Sequence, residues 1–249
     1  MKFTEKHAEL VGLHFGDGSL TKRKGTNQIR FQLRGDAISD REHYNNFIIP
    51  LCNELIGFSL IKREVGTVYD KNGNCFGVSI ESPLLQDFFE KLGVKIGRKE
   101  ELSVPNWIKE NKNFSKAFVR GLFDTDGTIS YKKNNTSKSK FHTVGVVSIV
   151  STSRVLITKT AFILSNLKLK HYVRVHKKSN GEKDAHRVDI FKPHINMFME
   201  VIGSHNPKHL SKFEIESKFG FCPPYTTFLQ RKQILKGELN PFSLYAGVP

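Results

Sequence analysis

What is scarce in this 249-residue chain narrows its class before any motif is read. It has 3 cysteines and 1 tryptophan. Cys52, Cys75 and Cys222 are odd in number and share no metal-ligand spacing. That argues against a disulfide framework or a zinc cluster and reads as buried thiols in a reducing compartment. No run of about 18 apolar residues occurs, so no membrane-spanning helix is expected. The opening Met1-Lys2-Phe3-Thr4-Glu5 is not a signal peptide, which makes the sequons at Asn113 and Asn135 chance matches. No Gly-rich phosphate loop is present. Acids are also few. The 24 Asp and Glu stand against 39 Lys and Arg, leaving a formal net charge of +15 and a pI near 9.7. Such an excess predicts an extended polyanion as partner, most simply nucleic acid; charge alone leaves acidic membranes and ribosomal surfaces open. Apolar residues, at 38% with 20 Phe, suffice for real cores.

One stretch occurs twice. Gly121-Leu122-Phe123-Asp124-Thr125-Asp126-Gly127 has an earlier copy, Gly12-Leu13-His14-Phe15-Gly16-Asp17-Gly18, 109 positions upstream. Each closes an apolar run at helical spacing, Ala8, Val11 and Phe15 in the first and Phe114, Phe118 and Leu122 in the second. Gly12 with Gly16, and Gly121 with Thr125, place small residues four apart on one helix face. A helical Gly costs about 0.5–1 kcal/mol against Ala, so close approach of another backbone is the expected return. Asp17 and Asp126 fall at helix C-terminal ends, where the macrodipole disfavours an anion, which points to a cation held there. A lone Asp-Gly would only start a turn. Two of them, each after such a helix, make that reading the weaker one.

The duplication is wider than its signature. Pro83, Phe88, Glu90 and Gly93 are answered by Pro193, Phe198, Glu200 and Gly203, each 110 positions on, and Asn72-Gly73 by Asn180-Gly181, 108 on. The unit is therefore about 110 residues long. Within it the expected order is helix, strand, strand, helix, strand, strand, helix. Residues 28–34 alternate as a half-buried strand, with Ile29, Phe31 and Leu33 inward. A helix is expected over 40–56, kinked or broken at Pro50. Strands follow over 59–69 and 74–81 around a Lys71-Asn72-Gly73 turn, then a helix from Pro83 to about Leu92. Trp107 reads as a core plug in the join. The second unit predicts helices ending near Asp126, over 154–167 and over 193–202, with strands near 128–132, 144–151, 172–176 and 186–191. Its basic loop 132–140 is expected to order on DNA. A short helical run over 227–236 lies beyond.

The two copies, Leu10-Val11-Gly12-Leu13-His14-Phe15-Gly16-Asp17-Gly18 and Val119-Arg120-Gly121-Leu122-Phe123-Asp124-Thr125-Asp126-Gly127, resemble the paired signature helices of the LAGLIDADG homing endonucleases in their single-chain, two-half form. They differ at the motif's first acidic letter, which is Phe15 in one copy and Asp124 in the other. The resemblance implies an α+β fold of two tandem αββαββα repeats, each with a curved antiparallel four-stranded sheet forming a DNA-binding saddle. It divides the chain into an N-terminal half (1–93), a crossing segment (94–113), a C-terminal half (114–215) and an extension (216–249).

Implied with it is a monomeric, Mg²⁺-dependent, site-specific endonuclease that cuts both strands of double-stranded DNA across the minor groove, leaving 3′ overhangs. Its target would be about 20 base pairs long, held largely by phosphate neutralisation. Asp17 and Asp126, with the carbonyls of Gly16 and Thr125, would hold about two or three divalent ions, and hard oxygen donors select Mg²⁺ over Zn²⁺. Lys99 and Lys208 match the lysines that the family places near the scissile phosphates, with Lys212 close behind the second. For base contacts the strand faces offer Gln28, Arg30, Gln32 and Arg34, then Arg174, His176 and Arg187, with Lys62 added. Cytoplasmic (nucleoid-associated) or organellar location is expected, not secretion. The C-terminal Leu244-Tyr245-Ala246-Gly247-Val248-Pro249 lacks an intein's His-Asn ending, so an intron-encoded or free-standing enzyme is expected. An RNA-splicing maturase binding intron RNA, or a non-cleaving DNA-binding regulator, is the alternative on this scaffold. The second Asp, intact in both motifs, favours cleavage.

Overall fold

The computed structural model describes residues 1–70, 72–97, 102–133, 141, 143–178 and 181–245. Helix α1 (Glu5–Phe15) opens the chain and runs into strand β1 (Gly18–Lys22) and then β2 (Ile29–Asp36). A long helical stretch follows as α2 (Arg41–His43), a π segment (Tyr44–Ile48), α3 (Ile49–Cys52) and a second π segment (Asn53–Ile61). Strands β3 (Gly66–Tyr69) and β4 (Cys75–Ser82) and helix α4 (Leu85–Lys91) complete the first unit. After the short α5 (Asn106–Lys109), the order recurs as α6 (Lys112–Asp126), β5 (Gly127–Lys133), β6 (Thr143–Ser151), α7 (Arg154–Asn166), β7 (Tyr172–His176), β8 (Ala185–Phe191) and α8 (Ile195–Val201). Helices α9 (Pro207–Phe219), α10 (Phe228–Lys236) and α11 (Pro241–Tyr245) follow. Among the described residues no helix is long and apolar enough to cross a membrane.

The two sheets share one topology. Their strand orders are β1-β2-β4-β3 and β5-β6-β8-β7, antiparallel throughout. Period-two alternation sorts each into faces. Leu20, Phe31 and Ile80 stand opposite one another on the buried face of the first sheet, as Ile129, Val147 and Ile190 do in the second. The partner faces carry Arg30, Gln32 and Arg34 in one sheet and Arg174, Arg187 and Lys132 in the other. This is the expected α+β architecture of two αββαββα units.

Three expectations are corrected. Pro50 does not break the helix, which continues through it to Ile61. The π turn just before it widens the backbone, giving the pyrrolidine ring room and relaxing the demand for the N–H it lacks. Since the helix ends only at Lys62, with φ 59°, β3 cannot begin at residue 59 and starts at Gly66. Helix α9 was not expected. The side chain of Asn206 caps it by accepting from Lys208 N, Pro207 fits its first turn, and it runs through residue 215 to Phe219. The turn residues Lys71 and Asn180, and positions 134–140 of the basic loop, lie outside the described residues.

Trp107 anchors the crossing between halves, stacked on Phe3 with ring centroids 4.2 Å apart and donating from Nε1 to Leu92 O at 3.1 Å. The C-terminal helices are also tied down. Phe221, Phe242 and Tyr245 cluster against Phe141, and Lys232 of α10 reaches Glu42 of the first half at 2.7 Å.

Candidate active site and nucleic-acid interface

The signature helices α1 and α6 meet backbone to backbone. A Cβ added to Gly12 would collide with the Phe118 carbonyl and lie 2.9 Å from Leu122 N. One added to Gly121 would collide with the Glu9 carbonyl and lie 2.9 Å from Leu13 N. The contacts are the same ones displaced by 109 residues, so the two helices are related by a pseudo-twofold axis. At Gly16 an added Cβ would strike the Thr125 side chain and stand 3.3 Å from Asp126 N. Asp17 and Asp126 thus leave the seam side by side in chain position, each one residue beyond this closest approach. Asp17 is exposed and Asp126 half-buried. Burial, with Asp17 and Asp40 as nearby anions, pushes the Tyr44 phenol above its ordinary range.

Directly beneath lies a polar network that sequence reasoning did not anticipate. Arg120 grips Glu9 through Nε–Oε1 at 2.8 Å and Nη2–Oε2 at 2.9 Å, and its Nη1 donates to Ile202 O at 3.1 Å. Burial by itself would raise the Glu9 carboxyl, but the bonds from His205 and Arg120 hold it below its usual value. Asp124, fully buried, accepts from Ser204 Oγ and from His205 N at 2.8 Å, yet burial still pushes its carboxyl up to about 7. His43 stands 3.7 Å from it and is pushed down to about 4 by burial. Asn206 joins Asp40 (3.1 Å) to the Asp124 carbonyl (2.9 Å). Glu9, Asp124 and His205 bring three potential ligand atoms within 4.8 Å. Arg120 already fills the cation's place there, and each of the three is committed to a hydrogen bond.

The expected lysines separate. Lys208 pairs with Asp40 at 2.7 Å inside this network, and Lys99 lies outside the described residues. Lysines, Lys212 among them, also line the clefts beside the strands that carry the chain away from the acids. A cleft beside β1 is lined by Ser19, Thr21, Lys22 and Lys95. Its counterpart beside β5 is lined by Ser130, Lys132, Lys133, Lys212 and Tyr225. Lys212 donates to Ile129 O at 2.8 Å, and burial, with Arg231 nearby, pushes its ammonium down to about 8.

Most of the expected base-reading residues share the open sheet faces. Arg30, Gln32 and Arg34 lie on β2, with Gln32 Nε2 donating to Ser79 Oγ at 3.0 Å and Arg34 Nη2 to Gln32 Oε1 at 2.8 Å. Gln28 precedes that strand. Arg174 and Arg187 face each other across β7 and β8, and His176 lies further along β7. Lys62 stands apart at the helix end, where its Nζ donates to Ser59 O at 2.9 Å.

Comparison with known proteins agrees with this geometry. Residues 113–203 match the family model described as a LAGLIDADG-like domain. No curated protein sequence matches the chain. Among solved structures, I-DmoI in complex with DNA and Mn is 18% identical, with a TM-score of 0.56 over 80% of this chain and 96% of that one. The I-LtrWI LAGLIDADG homing endonuclease bound to target DNA is 12% identical, with a TM-score of 0.55 over 98% of each chain. Meganuclease I-SmaMI bound to uncleaveable DNA is 12% identical, with a TM-score of 0.56 over 97% of this chain and 98% of that one. The class is that of the two-repeat LAGLIDADG scaffold. Residues 113–203 match a LAGLIDADG-like domain, and the whole chain has the fold of single-chain LAGLIDADG homing endonucleases.

Proposed function

We propose that the protein is a monomeric, divalent-metal-dependent endonuclease that makes a double-strand break at one long site in double-stranded DNA. The observation that carries this is the position of Asp17 and Asp126 just past the closest approach of two pseudo-symmetric helices, each followed directly by the first strand of a sheet whose open face carries arginines. Relatives of the same fold are seen with target DNA, and one with DNA and Mn.

In this reading the ligands at the seam are the carboxylates of Asp17 and Asp126 with the carbonyls of Gly16 and Thr125, an all-oxygen set that fits a hard cation. Such oxygens suit Mg²⁺ or Mn²⁺ rather than Zn²⁺. Divalent ions held there would supply water activation and neutralisation of charge on the phosphate and the leaving oxygen. The chain's own residues bind and orient the duplex. Strands β2 and β8 present arginines to base edges, while Lys95 and Lys212, in the clefts beside β1 and β5, are placed to meet backbone phosphates. The buried Arg120–Glu9 pair fixes the helices that carry the acids.

Incubation with a randomised DNA library and Mg²⁺ tests this reading. Wild type is expected to enrich one class of cleaved site. Asp17→Asn or Asp126→Asn is expected to slow cleavage at least about a thousandfold, the scale of several kcal/mol of metal-borne charge stabilisation, while site binding persists. Chelation of the metal should do the same. Tight binding of an intron RNA with no cut in any library would replace this reading with that of a maturase.

A further inference from the structure

Two carboxylates on the open faces have no role in the function proposed above. Glu81 on β4 stands opposite Arg30 on β2 and accepts from its Nε (3.1 Å) and Nη2 (2.9 Å), and from Arg23 Nη1 at 3.0 Å. Asp189 on β8 stands between Ser148 on β6 and Tyr172 on β7. It is 0% exposed although it points away from the helices of its half. Its Oδ1 accepts from Ser148 Oγ (2.6 Å) and from Arg187 Nε (2.9 Å) and Nη2 (2.7 Å). Its Oδ2 has no hydrogen bond and faces Arg174 Nε at 3.7 Å, and Arg174 itself lies over the Phe191 ring.

Each half thus repeats one arrangement, a single acid holding two arginines. For affinity alone this is counterproductive, since an anion on a DNA-facing surface cancels charge that would neutralise phosphate. It makes sense for reading bases. A free arginine side chain carries about 2 kcal/mol of rotamer entropy, and its planar fork is useful only when aimed. Engaging the Nε side of Arg30 leaves its outer Nη edge for the O6 and N7 of guanine. Arg174, whose nearest approach to Asp189 is through Nε at 3.7 Å without a hydrogen bond, is left its Nη groups for the same purpose.

We propose that Glu81 and Asp189 are positioning residues for base recognition, aiming Arg30 and Arg174 at one guanine in each half of the target. The proposal rests on the DNA-cleaving reading. Its consequence is an asymmetry that no general loss of stability would produce, because each acid governs one base position in its own half-site.

The test takes the site that wild type selects, randomises it position by position, and sequences what each variant binds and cuts. Glu81→Gln should lose guanine preference at one position in one half-site, and Asp189→Asn at one position in the other, each by about ten- to a hundredfold. Affinity for random duplex should stay the same or rise, because a negative charge has gone. Arg174→Lys, an exposed change that leaves Asp189 in place, should relax the same position as Asp189→Asn and covers the case in which that variant fails to fold. Unchanged base profiles, or an equal loss on every sequence, would overturn the proposal while leaving the nuclease standing. A wild type that selects no site at all would remove the reading beneath it.

Discussion

Gly12 and Gly121 pack across the pseudo-twofold axis so closely that a methyl group on either meets backbone, not side chain, of the opposite helix. Backbone cannot rotate away, so the helices would have to separate. Gly12→Ala or Gly121→Ala gains about 1 kcal/mol of helix propensity but incurs overpacking of about 1–3 kcal/mol or more. Net destabilisation is expected, read as a lower urea midpoint. Because the same contact sets the spacing of Asp17 and Asp126, cleavage should fall further than the lost stability explains.

The glycine pattern is also where the sequence was most legible. Small residues four apart, an acid at each helix end and a second copy half a chain later can all be read directly from the chain, and the structure packs the small residues of the two helices against each other. Strands β2 and β7 fall within two residues of expectation for the same reason. What stayed hidden was non-local. Nothing within a single helix shows that Glu9 will meet Arg120, 111 residues away, or that Lys208 will be taken by Asp40. Arg187 and Asp189 did share a readable cue, two residues apart on one strand face, but Asp189 gains its meaning only when Arg174 arrives from β7. The π-helical passage through Pro50 overrode a rule that holds for ordinary α-helices.

The Glu9–Arg120 pair joins the two halves with Glu9 side chain at 3% exposure and Arg120 at 20%. Removing one partner of such a pair leaves the other buried and uncompensated, at about 3–5 kcal/mol. Glu9→Gln is expected to destabilise on that scale, and the double change Glu9→Gln with Arg120→Met to recover part of it. A double-mutant cycle on urea unfolding measures the coupling. Strict additivity would mean that the halves are held together by packing alone.

Three buried groups contribute to the acid response. Burial holds His43 down to about 4 and His209 well below its ordinary value, so both are neutral in the folded chain. An unfolded histidine binds its proton near 6.5, and each therefore contributes stability that is present above that value and lost as pH falls toward the folded one, at about 1.4 kcal/mol per pH unit. Asp124, raised to about 7, works in the opposite sense and gains stability as pH falls below that value. Two histidines against one carboxyl leave a net loss of about 1.4 kcal/mol per pH unit between about 6.5 and the folded histidine values. Both ring nitrogens of His209 lack hydrogen bonds among the described residues, so His209→Phe should fold and should flatten the slope of thermal midpoint against pH. An unchanged slope would assign the acid sensitivity elsewhere.

Lys212 and Lys208 make the sharpest contrast within the site. Lys208 is spent on Asp40, whereas Lys212 lies in the cleft beside β5 with an ammonium near 8 and one bond, to Ile129 O. A lysine that is poorly solvated yet still charged at neutral pH gains most by meeting a phosphate. Lys212→Met should therefore slow single-turnover cleavage by about a hundredfold or more, the usual loss for one charge-stabilising donor, with little change in unfolding midpoint. Lys208→Met should do the reverse, since it strips a cation from a mostly buried carboxylate. The pH profile separates them again. Wild-type cleavage is expected to decline as the Lys212 ammonium deprotonates above about 8, a limb that phosphate contact would shift upward. Lys212→Arg should carry its charge through the whole range, because a guanidinium does not deprotonate there. A limb that persists unchanged in Lys212→Arg would show that some other group, and not this lysine, faces the scissile phosphate.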